Sequence, residues 1–214
     1  MRIGILGTGG MADALGTQWA RAGHELMVGG RSADRAAALA ARLGPTARTG
    51  SWSEAAGFGE AVLLAVSHPA VPEVLAAAGP EALGGRVLID CTNAIVEGFR
   101  LEHRDGVSMA ERIARIATGA RVVKAFHHCH EDVWRMRPPA FDGEPLAVPL
   151  CGDDPDALAT VGALVRDLGC EPVAAGGLER AGLVEAMTAL LVGLWVGGED
   201  PRAMLPPKAF AFGG

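Results

Sequence analysis

The stretch of sequence that decides the fold is residues 2–12, RIGILGTGGMA. Its apolar start predicts a buried strand, and the glycines after it predict a tight turn into a helix. Gly7 permits a backbone angle that a side chain would forbid, Gly9 leaves bare backbone, and Ala12 takes the place of the third glycine in the pattern G-x-G-x-x-G/A. Because the first N–H groups of a helix bind phosphate, the stretch predicts a dinucleotide site.

The residues that follow supply the context that a glycine pattern needs. Met11, Leu15 and Trp19 recur at helical spacing, Gly23 ends the predicted helix, and a second apolar strand covers residues 25–28. The result is a strand–turn–helix–strand unit of about 30 residues, which is the size of the unit that carries the glycine pattern in dinucleotide-binding folds. The alternative interpretation is a glycine turn in an α/β domain that holds no cofactor.

The end of the second strand indicates which dinucleotide binds. An NAD site has an acidic residue there, about 20 positions after the glycines, which binds the ribose 2′-hydroxyl. This chain has no carboxylate at that tip but Arg31, Ser32 and, one turn later, Arg35. Guanidinium groups and a hydroxyl suit a dianionic 2′-phosphate, so we predict NADP(H) rather than NAD. The alternative is that both arginines belong to a solvated helix face.

The composition limits the classes of partner. The chain has 214 residues, of which 50% are hydrophobic, and its net charge of −6 without a basic run argues against nucleic acid. No apolar run reaches the ~18 residues of a membrane span. The first residues enter a strand and leave no room for a signal peptide, so we expect a cytoplasmic protein. The cysteines share no C-x-x-C spacing typical of a metal site.

Strands and helices continue to alternate along the rest of the sequence. Predicted strands cover residues 61–66, 86–89, 121–126, 145–150 and 172–175, and predicted helices include 35–43, 155–168 and 178–195. This alternation predicts an α/β fold, a Rossmann-type doubly wound, mostly parallel sheet with a small C-terminal helical extension. We expect residues 1–150 to form the NADP-binding domain. Residues 151–214 would complete the substrate site and supply a dimer contact, with the tail from residue 201 packed on the partner subunit.

Four segments resemble one known family. Residues 148–154 and 176–191 are similar to the C-terminal part of the NADP oxidoreductases that use the deazaflavin coenzyme F420, and residues 28–31 and 122–126 are similar to further parts of them. The resemblance covers nearly the whole chain. It implies a Rossmann domain with a small C-terminal segment, hydride transfer between NADPH and the deazaflavin, and a homodimer.

The resemblance also implies which residues form the site. The residues that would hold NADP are Gly7, Thr8, Gly9, Met11, Arg31, Ser32 and Arg35, to which we add Gly10 of the same turn. Ser67, His68 and Pro69 would flank the nicotinamide, and the second substrate would lie near His127, Cys129 and Thr188. Asn93 follows another predicted strand, where its amide would orient a ribose or the nicotinamide, although a role in the loop explains it as well.

The chemistry of hydride transfer needs little acid–base machinery. The nicotinamide supplies the hydride, and the protein holds the two rings face to face and excludes water. A donor near the N1–C2=O edge of a deazaflavin would stabilise the developing anion. We predict His127 for that role and Thr188 as the second candidate; the alternative is that His127 is a loop residue without a special role. For an imine or carbonyl acceptor, His127 or His128 would donate the proton.

The segment from His127 to His130 departs from the family, because many of its members have Asn-Thr after the Ala-Phe pair. It contains several types of metal ligand, but four consecutive positions do not easily reach one tetrahedral ion, so we predict no metal. Glu185 is unexpected on an apolar helix, and a pairing with an arginine would explain it.

The sequence leaves three functions open. The first is an NADPH-dependent oxidoreductase that exchanges hydride with coenzyme F420. The second is an NADPH-dependent reductase of a small imine or carbonyl compound without a deazaflavin, although the chain is short for the helical domain that larger imine reductases append. The third is a non-catalytic NADP-binding protein.

Overall fold

A central sheet of eight strands organises the chain, of which the computed structural model describes residues 1–102 and 106–204. The strands are β1 (Arg2–Leu6), β2 (Glu25–Gly29), β3 (Ala47–Gly50), β4 (Ala61–Leu64), β5 (Val87–Asp90), β6 (Ile95–Val96), β7 (Arg100–Leu101), β8 (Arg121–Lys124), β9 (Ala140–Phe141), β10 (Glu144–Pro145), β11 (Ala147–Gly152) and β12 (Glu171–Gly176). The main sheet has the order β12-β11-β8-β5-β4-β1-β2-β3. Neighbours from β3 to β8 are parallel, whereas β11 is antiparallel to β8 and parallel to β12.

Helices cover both faces of this sheet. They are α1 (Gly10–Arg21), α2 (Ala33–Leu43), α3 (Trp52–Phe58), α4 (Val71–Ala78), α5 (Pro80–Leu83), α6 (Met109–Ile116), α7 (Glu131–Trp134), α8 (Pro155–Arg166) and α9 (Ala181–Val196). Side chains of β4 alternate between the faces: Ala61 and Leu63 pack with α1, α2 and α8, whereas Val62 and Leu64 pack with α3, α4 and α6. A mostly parallel sheet with a core on each face confirms the predicted Rossmann-type, doubly wound α/β fold.

The first unit of the chain agrees with the sequence prediction. β1, α1 and β2 follow one another as expected, and Gly23 adopts φ +89° just after α1, where a left-handed residue ends a helix. The strands predicted over residues 61–66 and 121–126 end earlier, at Leu64 and Lys124, because the chain turns there into the loops of the sheet edge. The sequence did not predict β3 or the hairpins β6–β7 and β9–β10, whose short strands carry no hydrophobic alternation.

The C-terminal part of the chain continues the sheet. β11 crosses residue 150, where we expected a domain boundary, and pairs with β8 at Cys151 and Gly152. α9 then forms the helical extension and packs against α6. Within the tail, Pro201–Met204 form a 3₁₀-helix, while residues 205–214 of the predicted subunit contact lie outside the described residues. No helix in the described ranges is long and apolar enough to cross a membrane.

A buried network of charges ties α9 to the sheet. The Lys124 ammonium at the end of β8 lies 3.0 Å from the Asp90 carboxylate at the end of β5. It lies 3.0 Å from the Glu185 carboxylate on α9 as well, and the three side chains are fully buried. The prediction of an arginine partner for Glu185 is therefore wrong, because α9 crosses the end of β8, where a lysine stands.

The charges of Lys124, Asp90 and Glu185 are compensated within the network and by the N-terminus of α6. Burial alone lowers the pKa of Lys124, but the carboxylates of Asp90 and Glu185 outweigh it and raise that pKa above its ordinary value, so the ammonium stays charged. The second carboxylate is compensated by the backbone, because Glu185 accepts hydrogen bonds from the N–H groups of Met109 and Ala110 in the first turn of α6. The positive end of the helix dipole lies there.

Replacing Lys124 by methionine should lower the free energy of unfolding by about 3–5 kcal/mol, because two carboxylates would remain buried without their cation. Urea unfolding followed by tryptophan fluorescence measures the change. The matched control is Arg48→Met, which removes an exposed ion pair of 2.9 Å with Glu25 and should cost less than about 1 kcal/mol. Equal costs for the two variants would contradict a stabilising role of the network.

Candidate functional site

The glycine turn after β1 has the geometry that the sequence predicts. Gly7 adopts φ +136°, and a Cβ there would collide with the carbonyl oxygen of Ala65, so only glycine fits. Gly9 precedes α1 and faces open space on the side of a Cβ. A Cβ on Gly10 would collide with the carboxylate of Glu131. The turn therefore leaves the backbone at the start of α1 accessible to a ligand from the side of Gly9.

A cavity of about 250 Å³ lies between this turn and the end of β2. Its lining comprises Gly7, Thr8, Gly9, Arg31, Ser32, Arg35, Trp52, Ala65, Val66, Ser67, Ala70, Glu73 and Val74. The Ser32 hydroxyl accepts a hydrogen bond of 3.3 Å from the backbone N–H of Arg35 and caps the N-terminus of α2. Neither Arg31 nor Arg35 forms an ion pair with a carboxylate in the described residues, so both guanidinium groups are available to an anion.

A second cavity, of about 300 Å³, continues the first across the start of α1. It is lined by Gly9, Gly10, Met11, Ala65, Val66, Ser67, His68, Cys91, Thr92, Asn93 and Glu131. The two cavities share Gly9, Ala65, Val66 and Ser67, and so they form one groove along the carboxyl ends of the parallel strands. Pro69, predicted to flank the nicotinamide, lines neither of them and is exposed beside His68.

The third cavity is the largest of these three, at about 790 Å³. Its lining comprises Met11, Cys91, Asn93, Ile95, Phe126, His127, His128, Cys129, His130, Glu131, Val133, Phe141, Leu146, Thr188, Leu191, Val192, Trp195, Val196, Asp200 and Arg202. We call it the acceptor cavity. It meets the groove at Met11, Cys91, Asn93 and Glu131, and it brings together both predicted catalytic residues, His127 and Thr188.

The backbone turn at Phe126 places His127 in this cavity. Phe126 adopts φ +56°, a left-handed conformation that is uncommon for a residue with a side chain. Its buried ring contacts Trp19 and Trp134 edge to face, with ring centroids 5.8 and 5.4 Å apart, and these contacts hold the strained turn. The next carbonyl group, that of His127, accepts a hydrogen bond of 2.6 Å from the Asn93 side-chain amide.

The His127 imidazole is buried and neutral. The residue is 2% exposed, and neither ring nitrogen has a hydrogen-bond partner among the described residues. Burial lowers the pKa of His127 well below 6.5, and the positive charge of Lys124 lowers it further. A neutral imidazole offers one N–H donor and one acceptor, so His127 is equipped to donate a hydrogen bond to a ligand.

The other predicted contact residues differ in what they offer. The Thr188 hydroxyl donates to the Val184 carbonyl oxygen at 3.0 Å, one turn earlier in α9, so its oxygen is left mainly as an acceptor. The Asn93 side-chain oxygen is buried without a partner in the described residues, and it borders both the groove and the acceptor cavity. Asn93 therefore has an acceptor to spare for an amide group of a ligand.

The side chains of His128, Cys129 and His130, which follow β8, lie in different environments. Burial lowers the pKa of His128 to about 4, and neither ring nitrogen has a hydrogen-bond partner among the described residues. His130 caps the short helix α7 by accepting from the Asp132 N–H at 3.3 Å. Burial raises the pKa of Cys129 to about 12, which keeps it a thiol. No group of three metal-ligating side chains is arranged around a common point within residues 1–102 and 106–204.

Sequence reasoning missed the role of Glu131. Its carboxylate turns back to Gly10 and borders both the groove and the acceptor cavity. Arg135, one turn later, fixes this loop to α1 through the Asp13 carboxylate at 3.1 Å and the Gly10 carbonyl oxygen at 3.4 Å. The sequence shows that polar residues follow β8, but their spacing does not reveal which carboxylate faces the glycine turn.

The fold and these cavities define a Rossmann-type protein with a groove at the carboxyl ends of its parallel strands and a larger cavity that meets this groove. The sequence profile of a family described as "NADP oxidoreductase coenzyme F420-dependent" matches residues 2–94. The F420-dependent NADP reductase of Methanothermobacter marburgensis is 30% identical over 210 residues, which cover 91% of this chain and 92% of that protein. The chain belongs to this family, and its class is that of the NADP-dependent oxidoreductases.

Two further similarities complete the comparison. Rat metalloreductase STEAP3 is 32% identical over 194 residues, 91% of this chain, and the chain spans only 38% of its length. A solved structure from Arthrobacter sp. FB24, described as a candidate F420-dependent NADP reductase, superposes with a TM-score of 0.81. The match covers 92% of this chain and 95% of that one at 24% identity, and so it shows that the fold is shared.

Acidification should destabilise the protein between about pH 6.5 and about pH 4. The unfolded chain takes up protons on His127 and His128 below pH 6.5, whereas burial keeps both rings neutral in the folded chain. The folded pKa values are the lower ones, so stability falls as the pH falls, by up to about 1.4 kcal/mol per pH unit for each ring. Urea unfolding across this range measures the slope.

The variant His127→Gln isolates the contribution of one ring. It should reduce the pH dependence relative to the unchanged protein by about one proton, since glutamine does not titrate. Two parallel stability profiles would show that His127 is not held neutral in the folded state.

Proposed function

We propose that this protein transfers hydride between NADPH and the deazaflavin ring of coenzyme F420. The observation that carries the proposal is the junction of the dinucleotide groove with the acceptor cavity, beside which lies the buried neutral imidazole of His127. Family membership and the similarity to an F420-dependent NADP reductase over almost its full length support the choice of partners. A ring held in the acceptor cavity would border the groove where the nicotinamide is expected.

The groove offers suitable groups for each part of NADP. The proposed contacts of the 2′-phosphate are Arg31, Ser32 and Arg35, because a hydroxyl and two guanidinium groups that pair with no described carboxylate suit a dianion. The turn from Gly7 to Met11, with Thr8, Gly9 and Gly10, would hold the pyrophosphate at the start of α1. Ser67, His68 and the free amide oxygen of Asn93 would contact the nicotinamide end, and Pro69 would act only through the backbone beside His68.

The residues of the acceptor cavity would orient the ring and stabilise its charge. NADPH supplies the hydride when it is bound. The N–H group of His127 would donate a hydrogen bond to the N1–C2=O edge of the acceptor ring, where negative charge develops during hydride transfer. Because His127 is neutral and already desolvated, it needs no rearrangement of water for this task. Thr188 would accept a hydrogen bond from the ring, and the apolar side chains of α9 would exclude water.

The first test mixes the purified protein with NADPH and oxidised coenzyme F420 without oxygen and follows the deazaflavin absorbance. We expect steady bleaching, and an absence of turnover would overturn the proposal. His127→Phe should lower kcat by about 100-fold, since one donor to a developing anion is lost. His127→Gln, which keeps an N–H donor, should recover part of that loss. A kcat for His127→Phe within about threefold of the original would exclude His127 from the reaction.

The choice of NADP is tested separately with Arg31→Ala. Loss of one charge-assisted hydrogen bond to the 2′-phosphate should weaken NADPH binding by about 1.5–3 kcal/mol, roughly 10- to 150-fold, and leave NADH binding unchanged. Calorimetric titration gives both affinities. Arg166→Ala on the exposed side of α8 removes the same charge elsewhere and is the control. An equal change for NADPH and NADH would place the 2′-phosphate elsewhere.

A second candidate function is the reduction of an imine or carbonyl compound by NADPH. The Glu131 carboxylate at the junction favours it, because a negative charge beside the hydride path stabilises a protonated imine. In that case His128 or His127 would be tested as proton donors. NADPH oxidation by cyclic imines, together with no bleaching of F420, would favour this candidate. Binding of NADPH without turnover of either acceptor class would favour a non-catalytic NADP-binding protein.

We also propose that the protein acts as a homodimer in the cytoplasm. α9 is apolar around much of its surface and leaves Leu183, Leu190 and Val196 60%, 53% and 69% exposed, which a second copy of the chain would cover. Light scattering should give the mass of two chains, and Leu190→Glu should shift it towards one. A monomer before the substitution would contradict the assembly. The cytoplasmic location stays a prediction from the sequence.

A further inference from the structure

We infer that the acceptor cavity selects against anionic acceptors, so that a deazaflavin without the anionic tail of coenzyme F420 is the better substrate. This inference rests on the proposed function, since it concerns the acceptor of the same reaction. The tail of the complete coenzyme carries a phosphodiester and glutamate carboxylates, whereas the tail-free compound ends in an uncharged hydroxylated chain. The two molecules share the ring that receives the hydride.

The two ends of the site differ in the cations that they offer. At the nucleotide end, Arg31 and Arg35 have no carboxylate partner in the described residues. In the acceptor cavity, the one guanidinium or ammonium group among the described lining residues is Arg202. Its side chain lies 3.0 Å from the Asp200 carboxylate and 3.6 Å from the Asp142 carboxylate. The arginine of the acceptor cavity is thus already paired with carboxylates, whereas the arginines of the groove have no such partner in the described residues.

The other full charges that the described lining residues bring to the cavity are negative. Asp200 lines it and, with Asp142, places two carboxylates beside the Arg202 guanidinium, and Glu131 adds a third carboxylate at the junction with the groove. The buried rings of His127 and His128 add no positive charge, because burial keeps them neutral. An anionic tail that leaves the cavity past Asp200 would find like charge instead of a partner, and like charges at an interface weaken association.

The interior of the cavity suits an uncharged ring. Its walls are mostly apolar, from Ile95 and Phe126 to Leu191 and Trp195. Within them, the 98% buried His127 keeps both ring nitrogens without a partner in the described chain, so a polar atom of a ligand is needed there. A flat heteroaromatic ring with a carbonyl edge satisfies both requirements without bringing a full charge.

The experiment compares kcat/KM for the complete coenzyme and for the tail-free deazaflavin with saturating NADPH. At low salt we expect kcat/KM for the tail-free compound to be at least about threefold higher. Interactions between a few solvent-exposed charges are modest, and a difference of this size is within their range. The preference should shrink as salt screens the carboxylates. An equal or higher kcat/KM for the complete coenzyme at low salt would overturn the inference.

A double variant identifies the charges responsible. Asp142→Asn with Asp200→Asn frees Arg202, and asparagine tolerates the φ of +53° found at Asp142. The ratio of kcat/KM for the complete coenzyme to that for the tail-free compound should rise at least about threefold. Glu81→Gln on α5 with Glu171→Gln on β12 removes the same two charges at exposed residues that line none of the three cavities, and it should leave the ratio unchanged. A ratio that stays constant in the double variant would overturn the assignment.

The failure of the proposed function has a different signature. If neither deazaflavin is reduced, the hydride-transfer proposal is wrong, whatever the charge preference. Calorimetric binding of both compounds to the NADP-loaded protein then still decides the inference: tighter binding of the tail-free compound supports it, and equal or tighter binding of the complete coenzyme contradicts it.

Discussion

The buried ammonium of Lys124 is the constraint on which the rest of the site depends. It joins the ends of β5 and β8 to α9 through Asp90 and Glu185, and Glu185 in turn binds the start of α6. Because an uncompensated buried charge is very unfavourable, α9 has few alternative positions on the sheet. Thr188 follows Glu185 by one turn of that helix, so the wall of the acceptor cavity is fixed by electrostatics as well as by packing.

Two backbone turns, at Gly7 and at Phe126, position the groove and the acceptor cavity together with the buried charges. Gly7 turns the chain after β1 at a φ that disfavours a side chain, whereas Phe126 turns it after β8 at the cost of a left-handed conformation. The first turn works because a side chain is absent, and the second because an aromatic side chain is held between two tryptophans. One places the groove at the sheet edge and the other turns His127 into the acceptor cavity.

The fold was predictable because its signals are local. An apolar strand, a glycine turn and an amphipathic helix lie within the first 30 or so residues, and the same alternation repeats along the chain. The position of Arg31 and Arg35 beside the groove was predictable for the same reason, and their contact with a 2′-phosphate stays a proposal. Contacts between distant segments were not: the sequence could not show that Lys124 meets Glu185, or that Glu131 turns back to Gly10. The commitment of the Thr188 hydroxyl to Val184 depends on a rotamer, which spacing does not encode.

The narrow junction between the groove and the acceptor cavity has a consequence for how such proteins diverge. Only four of the described residues border both, namely Met11, Cys91, Asn93 and Glu131. Substitutions in the last turns of α9, at Leu191, Val192 or Trp195, reshape one compartment without touching the other. Selection can therefore exchange the oxidant while the reductant stays the same, and a single ancestral scaffold can supply a series of enzymes that differ in what they reduce.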